Sequence, residues 1–319
     1  MACVSLGVTQ TILAVNSPAH PPLWGIDLGG TKIEGAILDA AQPDRALWRH
    51  RVPTDARLGY EHIVGRVRAL VEQLEATSGT KRPAVIGVGT PGALEPSTGL
   101  LKNSNTVCLN GRPLGRDLSA ALGVETRLAN DANCFALAEA LLGAARGRGV
   151  VAGLILGTGV GSGLVVHGRV LAGRHGIAGE WGHNPLRGEA TPCYCGHTGC
   201  VETVISGPAL EKFYAVQSGE KLPLPEIVGR AATGDTAAIV TLERLREKFG
   251  EALAALINIL DPDAVVIGGG VGNLDLLYGE STRRAVLQHL FNPELRTEFL
   301  RPALGDSAGV FGAALLATQ

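Results

Sequence analysis

Residues 23–39 read LWGIDLGGTKIEGAILD, and residues 151–168 read VAGLILGTGVGSGLVVHG. Each is an apolar run, a glycine-rich turn and a second apolar run. Short apolar runs bounded by glycine read as strands, and a pair of them reads as a hairpin. Shifted by 128 residues, Gly25 falls on Gly153, Leu28 on Leu156, Gly29 on Gly157 and Gly35 on Gly163. The spacing predicts a duplicated hairpin, one copy in each half of the chain. A third unit, DPDAVVIGGGVGN (261–273), is a buried-type strand running into Gly268, Gly269 and Gly270.

Turns that bare backbone N–H groups in a concave arrangement favour anions such as phosphates. Gly29, Gly30, Thr31 and Lys32 form one such turn, and Gly157, Thr158 and Gly159 form the other. Taken singly, each is also an ordinary hairpin turn. Neither fits G-x4-G-K-[ST] or G-x-G-x-x-G. Two alike, in opposite halves, suit a polyphosphate pinched between them. Asp27 interrupts an apolar strand just before the first turn. A buried acid needs a partner, and a hydrated Mg²⁺ beside phosphates would supply one; capping of the turn is the alternative. Lys32 either neutralises a phosphate or lies on the surface.

The stretch HNPLRGEATPCYCGHTGC (183–200) holds three of the six cysteines. His183, Cys193, Cys195 and Cys200 follow the pattern H-x9-C-x-C-x4-C, and Cys3His is a tetrahedral zinc set. The stretch is polar and glycine-rich, unlike a core segment. His197 ranks below His183 as a ligand because it lies too close to Cys195 to close a comfortable ring. Four protein ligands leave zinc no open position, so its expected role is to shape the loop. Glu180 precedes His183 by three residues, and Glu202 follows Cys200 by two. A metal tying 183 to 200 would hold both carboxylates near one another.

LANDANCFALAEALLGAARG (128–147) begins with polar residues and continues as an amphipathic helix, with Phe135, Ala138, Leu141, Leu142 and Ala145 at helical spacing. Asp131 sits at or just before the helix start, where it serves as a cap or as a functional acid. Asn130 and Asn133 flank it, a density of hydrogen-bonding groups that suits a polyol, whose buried hydroxyls must be paired. GTPG (89–92), with Thr90, and NSNT (103–106), with Asn105, add further polar mouths. Helices are expected at 61–77, 236–260 and 307–318.

At 319 residues two domains are the natural expectation. A hydrophobic share of 45 %, a charged share of 18 % and a net charge of −2 describe a soluble protein without the basic excess of a nucleic-acid binder. No apolar run reaches the ~18 residues of a membrane span. Cys3, Cys108 and Cys134 are scattered, which predicts the reducing cytosol and no disulfide framework. Residues 1–22 carry no early Lys or Arg, and so read as an extension ending at Pro21 and Pro22, not as a secretory signal.

Together DLGGTK (27–32), GTPG (89–92), NDAN (130–133), LGTGVGSG (156–163), GEWGH (179–183) and CYCGHTGC-V-E (193–202) resemble the ROK family of bacterial sugar kinases and repressors, from about residue 23 to the C-terminus. The resemblance implies an α/β fold of the actin/hexokinase type. Two ribonuclease-H-like domains, 23–130 plus 305–319 and 131–304, would flank a cleft. It implies Asp131 as general base, and Thr90, Asn105, Asn130, Glu180, His183 and Glu202 as sugar contacts, with His183 serving zinc and sugar through one ring nitrogen each. Asp27, Gly29, Gly30, Thr31, Lys32, Gly157, Thr158, Gly159, Gly268, Gly269 and Gly270 would hold ATP, and Asp27 would hold Mg²⁺ through water. The partners implied are a hexose, ATP and a second copy of the chain, with no nucleic acid and no membrane.

The family's repressors carry a winged helix-turn-helix ahead of the first motif. Only 26 residues precede Asp27 here, so a kinase is expected. GEWGHNPL and VETVISG are most similar to the family's fructokinases, which puts D-fructose first, phosphorylated at its 6-hydroxyl, with mannose or glucose next. N-acetylglucosamine kinases share much of the same text and are the alternative, with glucokinases. Trp181 is expected to pack under the loop, or else to shape the pocket edge.

Overall fold

A computed structural model describes residues 21–319. Most of the extension read at 1–22, with Cys3, lies outside the described residues. The first half runs β1 (Leu23–Leu28), β2 (Lys32–Asp39), β3 (Gln42–Pro53), α1 (Tyr60–Ser78), β4 (Val85–Thr90), β5 (Ala93–Leu94), β6 (Leu101–Lys102), α2 (Leu114–Leu122), β7 (Glu125–Asn130) and α3 (Asp131–Leu141). The second half runs β8 (Val150–Leu156), β9 (Val160–Val166), β10 (Arg169–Val170), α4 (Glu202–Ile205), α5 (Gly207–Ser218), α6 (Leu224–Ala232), α7 (Thr236–Leu260), β11 (Ala264–Gly268), α8 (Gly269–Gly272), α9 (Glu280–Leu287), β12 (Glu298–Leu300) and α10 (Ala308–Leu315). None of the helices is long and apolar enough to cross a membrane, among the described residues.

The repeat seen in the glycines extends to whole sheets. One has the order β3-β2-β1-β4-β7, the other β10-β9-β8-β11-β12. In each, the first three strands pair antiparallel, and the next two join in parallel. The parallel connections are α-helical, as parallel crossovers require. Tyr60, Ile63, Val67, Leu70 and Leu74 bury one face of α1 on the first sheet. In the second half α7 buries Leu245, Phe249, Leu253 and Ile257 against β8 and β11 residues.

The last helix of each half crosses to the other half's sheet. α3 follows β7 of the first sheet yet packs on β8 and β9, while α10 follows β12 yet packs on β1 and β4. The amphipathic reading of α3 is corrected here. Every residue from Ala132 to Ala140 is buried, so α3 has no solvent face. A helix apolar all round is a core helix, and α3 is one because α10 covers the side that the sheet leaves open. Small residues allow the approach. A Cβ on Gly312 would lie 1.7 Å from the Cys134 carbonyl oxygen, and one on Gly87 1.7 Å from that of Ala313. Glu139, fully buried in α3, accepts hydrogen bonds from Ala144 N (2.9 Å), Ala303 N (3.0 Å) and Leu304 N (3.0 Å). That carboxylate fastens the end of α3 to the lead into α10.

Gly312→Ala should therefore destabilise the fold by roughly 3 kcal/mol through overpacking against backbone. Gly115→Ala in α2, whose added methyl would meet only Leu128 at 3.6 Å, should be neutral or stabilising by up to ~1 kcal/mol. Urea unfolding of both variants checks this; equal effects would contradict the packing account.

Candidate active site

The cleft lies where the parallel strands of both sheets end, the usual binding edge of open α/β sheets. It holds a cavity of about 250 Å³ lined by Asn103, Asn105, Asn130, Asp131, Gly157, Thr158, Gly159, Glu180, His183, Tyr194 and Glu202, among others. A larger hollow, about 1090 Å³, opens at the opposite ends of β8, β11 and β12. Most of its charged groups are already matched: Arg148 pairs with Glu298 at 2.7 Å, Arg296 with Glu294 at 2.7 Å, and Asp263 accepts from Gly149 N and Val150 N. The smaller cavity is the one whose acids, Asp131, Glu180 and Glu202, pair with no lysine or arginine among the described residues.

Asp131 is the first residue of α3. The cap is Asn130, whose Oδ1 accepts from Asn133 N at 2.8 Å. Asp131 is thus free of the capping role and bonds only the adjacent Ala132 N, through Oδ1 (2.8 Å). Its carboxylate is open to the cleft but walled by protein deep between the lobes, and this burial raises its pKa above the ordinary 3.8. Asp27, the penultimate residue of β1, lies nearby. Burial, with the neighbouring charges of Asp131 and Glu34, pushes it up to about 6 against the opposing pull of Lys32 and Arg51. Gly89 and Gly309 close on its two oxygens, since a Cβ on Gly309 would lie 2.9 Å from Oδ2. An acid so placed, with no side-chain donor among the described residues, fits a water-bound cation.

Opposite Asp131 stand Glu180, His183 and Glu202. Burial raises the Glu180 pKa; His183 opposes the shift, while Asp131 and Glu202 add to it. His183 Nε2 lies 3.9 Å from Glu180 and 3.1 Å from the Tyr194 hydroxyl. Its Nδ1 turns the other way, 3.6 Å from Cys193 Sγ. Glu202 Oε2 accepts from Val160 N at 2.9 Å, which ties the end of the cysteine loop to the Gly157–Gly159 turn. A Cβ on Gly159 would lie 2.6 Å from that oxygen, whereas one on Gly157 would meet nothing within 4 Å. Packing therefore explains the first glycine; the second faces open cavity.

The ligand atoms of His183, Cys193, Cys195 and Cys200 all lie within 4.8 Å of one another. Tetrahedral zinc with Zn–S near 2.3 Å and Zn–N near 2.05 Å sets S···S at about 3.8 Å and N···S at about 3.6 Å. The Cys195–Cys200 and Cys193–His183 separations are both 3.6 Å, so the donor set fits zinc. Left-handed Gly196 and Gly199 turn the chain there, and Gly199 approaches the Glu189 carbonyl too closely for any side chain.

Other expected residues fall outside the cavity. Thr90 is buried and donates within its own wall, to Gly92 O (2.9 Å) or Ala129 O (3.2 Å), so it shapes the Pro91–Gly92 rim and does not line the cavity. Gly30 and Thr31 line an adjoining hollow that shares Asn105. Lys32 is exposed. Gly269 backs the second turn, its Cα against the Leu156 carbonyl, and Gly207 N donates to Gly157 O (2.9 Å). Trp181 packs under the loop: it is buried, edge-on to Phe249, and its Nε1 donates to Ala252 O at 2.9 Å. Sequence reasoning missed Tyr194, which stands between two ligand cysteines, and from NSNT (103–106) it singled out Asn105 but not the first residue, left-handed Asn103 (φ 57°).

Comparison with known proteins bears on this geometry. The chain is 38 % identical over 303 residues to an N-acetyl-D-glucosamine kinase of Yersinia pseudotuberculosis, covering 92 % of this chain and 98 % of that one. The crystal structure of a ROK hexokinase from Thermus thermophilus superposes with TM-score 0.83 at 35 % identity, over 92 % of this chain and 97 % of that one. A ROK family glucokinase from Streptomyces griseus, solved with glucose and AMPPNP, gives TM-score 0.74 at 29 % identity over 92 % and 98 %. The fold is thus the actin/hexokinase-like α/β type. Since the ROK family description matches residues 23–319, the chain belongs to the ROK family.

Proposed function

We propose that this protein is an ATP-dependent kinase that phosphorylates the 6-hydroxyl of N-acetyl-D-glucosamine. The observation that carries the reading is a carboxylate free of the capping role, Asp131, open to the cleft and lining one cavity with Glu180, His183, Glu202 and the Gly157–Gly159 turn. Phosphoryl transfer needs alignment and charge stabilisation more than covalent chemistry. In this reading Asp131 accepts the proton of the attacking hydroxyl. The Asn130 amide, Asn105, Glu180, the Nε2 side of His183 and the free oxygen of Glu202 pair with the remaining hydroxyls. The turns at Gly29–Lys32 and Gly157–Gly159 hold the phosphates. Asp27 is the residue for Mg²⁺, which when bound neutralises phosphate charge. His183, Cys193, Cys195 and Cys200 would hold zinc as a closed four-ligand site, which would fix the loop and supply no nucleophile. A reducing cytosol suits such a thiol set.

The sugar differs from the one first expected. D-fructose rested on loop text that several kinases share, whereas a relative named N-acetyl-D-glucosamine kinase matches nearly the whole chain. One substituent in a pocket decides between hexoses, so mannose, glucose and D-fructose are the comparison substrates.

Asp131→Asn should leave sugar binding largely intact but lower kcat by at least ~100-fold. In the wild type the base acts deprotonated. With its pKa raised by burial, kcat/KM should fall on the acid side with a midpoint above 3.8. Near-normal turnover in the Asn variant, or full activity down to that pH, would remove Asp131 from the role. For the metal, Cys195→Ala should lose zinc by atomic emission and lower kcat/KM for the sugar by roughly 10–100-fold; a zinc-free variant with unchanged kinetics would show that the loop needs no metal.

A further inference from the structure

The two walls of the cavity come from different halves of the chain, yet they are fastened together outside it. Lys102 ends β6, and the next residues, Asn103 and Asn105, line the first wall. Its ammonium lies 2.6 Å from Glu95 Oε2 and donates to the His175 carbonyl at 2.7 Å. Glu95 belongs to the same small β5–β6 hairpin. His175 belongs to the segment 171–179, which leads from β10 into Glu180 on the second wall. One residue further on, left-handed Gly176 (φ 66°) brings its Cα against the hairpin; a Cβ there would lie 2.3 Å from the Leu94 carbonyl oxygen.

The segment acts as a strap. Leu171 to His175 are exposed, so few contacts hold them down. Internal bonds make the strap continuous with the site: Ala178 N to Ala172 O (3.1 Å), Glu180 N to Ile177 O (3.1 Å) and Trp181 N to Gly179 O (2.7 Å). Ser162 Oγ donates to the Gly179 carbonyl, which anchors the far end to β9. Between His175 and Glu180 the strap is thus bonded to itself and, at Gly179, to β9. No other lysine or arginine bonds the strap among the described residues.

We infer that Lys102 is a positioning residue for the sugar: by holding the His175 carbonyl across the cleft mouth it sets the distance between the Asn103–Asn105 wall and Glu180. The inference rests on the reading of the cleft as a hexose site. Lys102 itself lines no part of the cavity.

The test separates the cross-lobe bond from the hairpin's own ion pair. Lys102→Met removes both. The swap Glu95→Lys/Lys102→Glu keeps an ion pair inside the hairpin but leaves residue 102 unable to donate to His175. Both variants should raise the KM for N-acetyl-D-glucosamine about tenfold, the scale of one charge-assisted hydrogen bond, with kcat and the KM for ATP within about twofold. Without sugar, amide exchange across residues 171–180 should quicken about tenfold in both, as local opening becomes easier. A swap variant with wild-type sugar KM would make the ion pair sufficient and overturn the role. So would faster strap exchange with an unchanged KM, and so would unchanged exchange. If the wild type phosphorylates no hexose, the kinase reading fails; unchanged exchange then also ends the strap, while faster exchange keeps the cross-lobe bond and removes its sugar role.

Discussion

The site depends on the crossing of two buried helices. α3 leaves the first sheet to lie on the second, α10 does the reverse, and the two meet where Gly312 abuts the Cys134 carbonyl. No side chain fits at that contact, so spacing and angle are fixed by backbone. The same crossing aims the start of α3, and so Asp131, at the gap between the sheets. Gly309, one turn earlier on α10, closes on Asp27. The two acids are therefore held in one small region by one packing solution, and burial with mutual repulsion raises Asp27 to about 6. Their energetic cost is offset by the core around them, not by ion pairs of their own.

Around that fixed floor the walls are loops, each tied by a different device. The cysteine loop is closed by four convergent ligand atoms and by Glu202 on the Val160 amide. The Pro91–Gly92 rim is tied by the buried Thr90 hydroxyl. The strap before Glu180 is tied by Lys102. His183 serves two sides at once, with Nδ1 on the thiols and Nε2 toward Glu180 and Tyr194. Loops carry the specificity because a rigid scaffold can present them while they vary.

Much of this was legible in the sequence where residue type and spacing had few alternatives. The matched glycines at 25/153 and 29/157 announced two copies of one sheet, and the sheets have one strand order. Three cysteines and a histidine at ligand spacing announced a cluster. What was hidden depends on tertiary context. α3 read as amphipathic because its covering helix lies some 170 residues away in sequence. Asp131 and Asn130 could each cap a helix, and only geometry divides the roles. Thr90 looked like a sugar contact because a hydroxyl in a glycine-rich mouth gives no sign of facing inward. Lys102 gave no signal at all, since its acceptor is a backbone carbonyl 73 residues away. Sugar identity was hidden for another reason: one substituent in a pocket decides between hexoses.

On the proposed reading, one cleft brings the Asp131 carboxylate to the hydroxyl that receives phosphate. The most direct measurement is a crystal structure with N-acetyl-D-glucosamine and a non-hydrolysable ATP analogue. The 6-hydroxyl should lie within hydrogen-bond reach of Asp131, other hydroxyls on Glu180, His183 and Glu202, and the phosphates at the two glycine turns. A sugar bound elsewhere, or bound here with its 6-hydroxyl turned from Asp131, would contradict it.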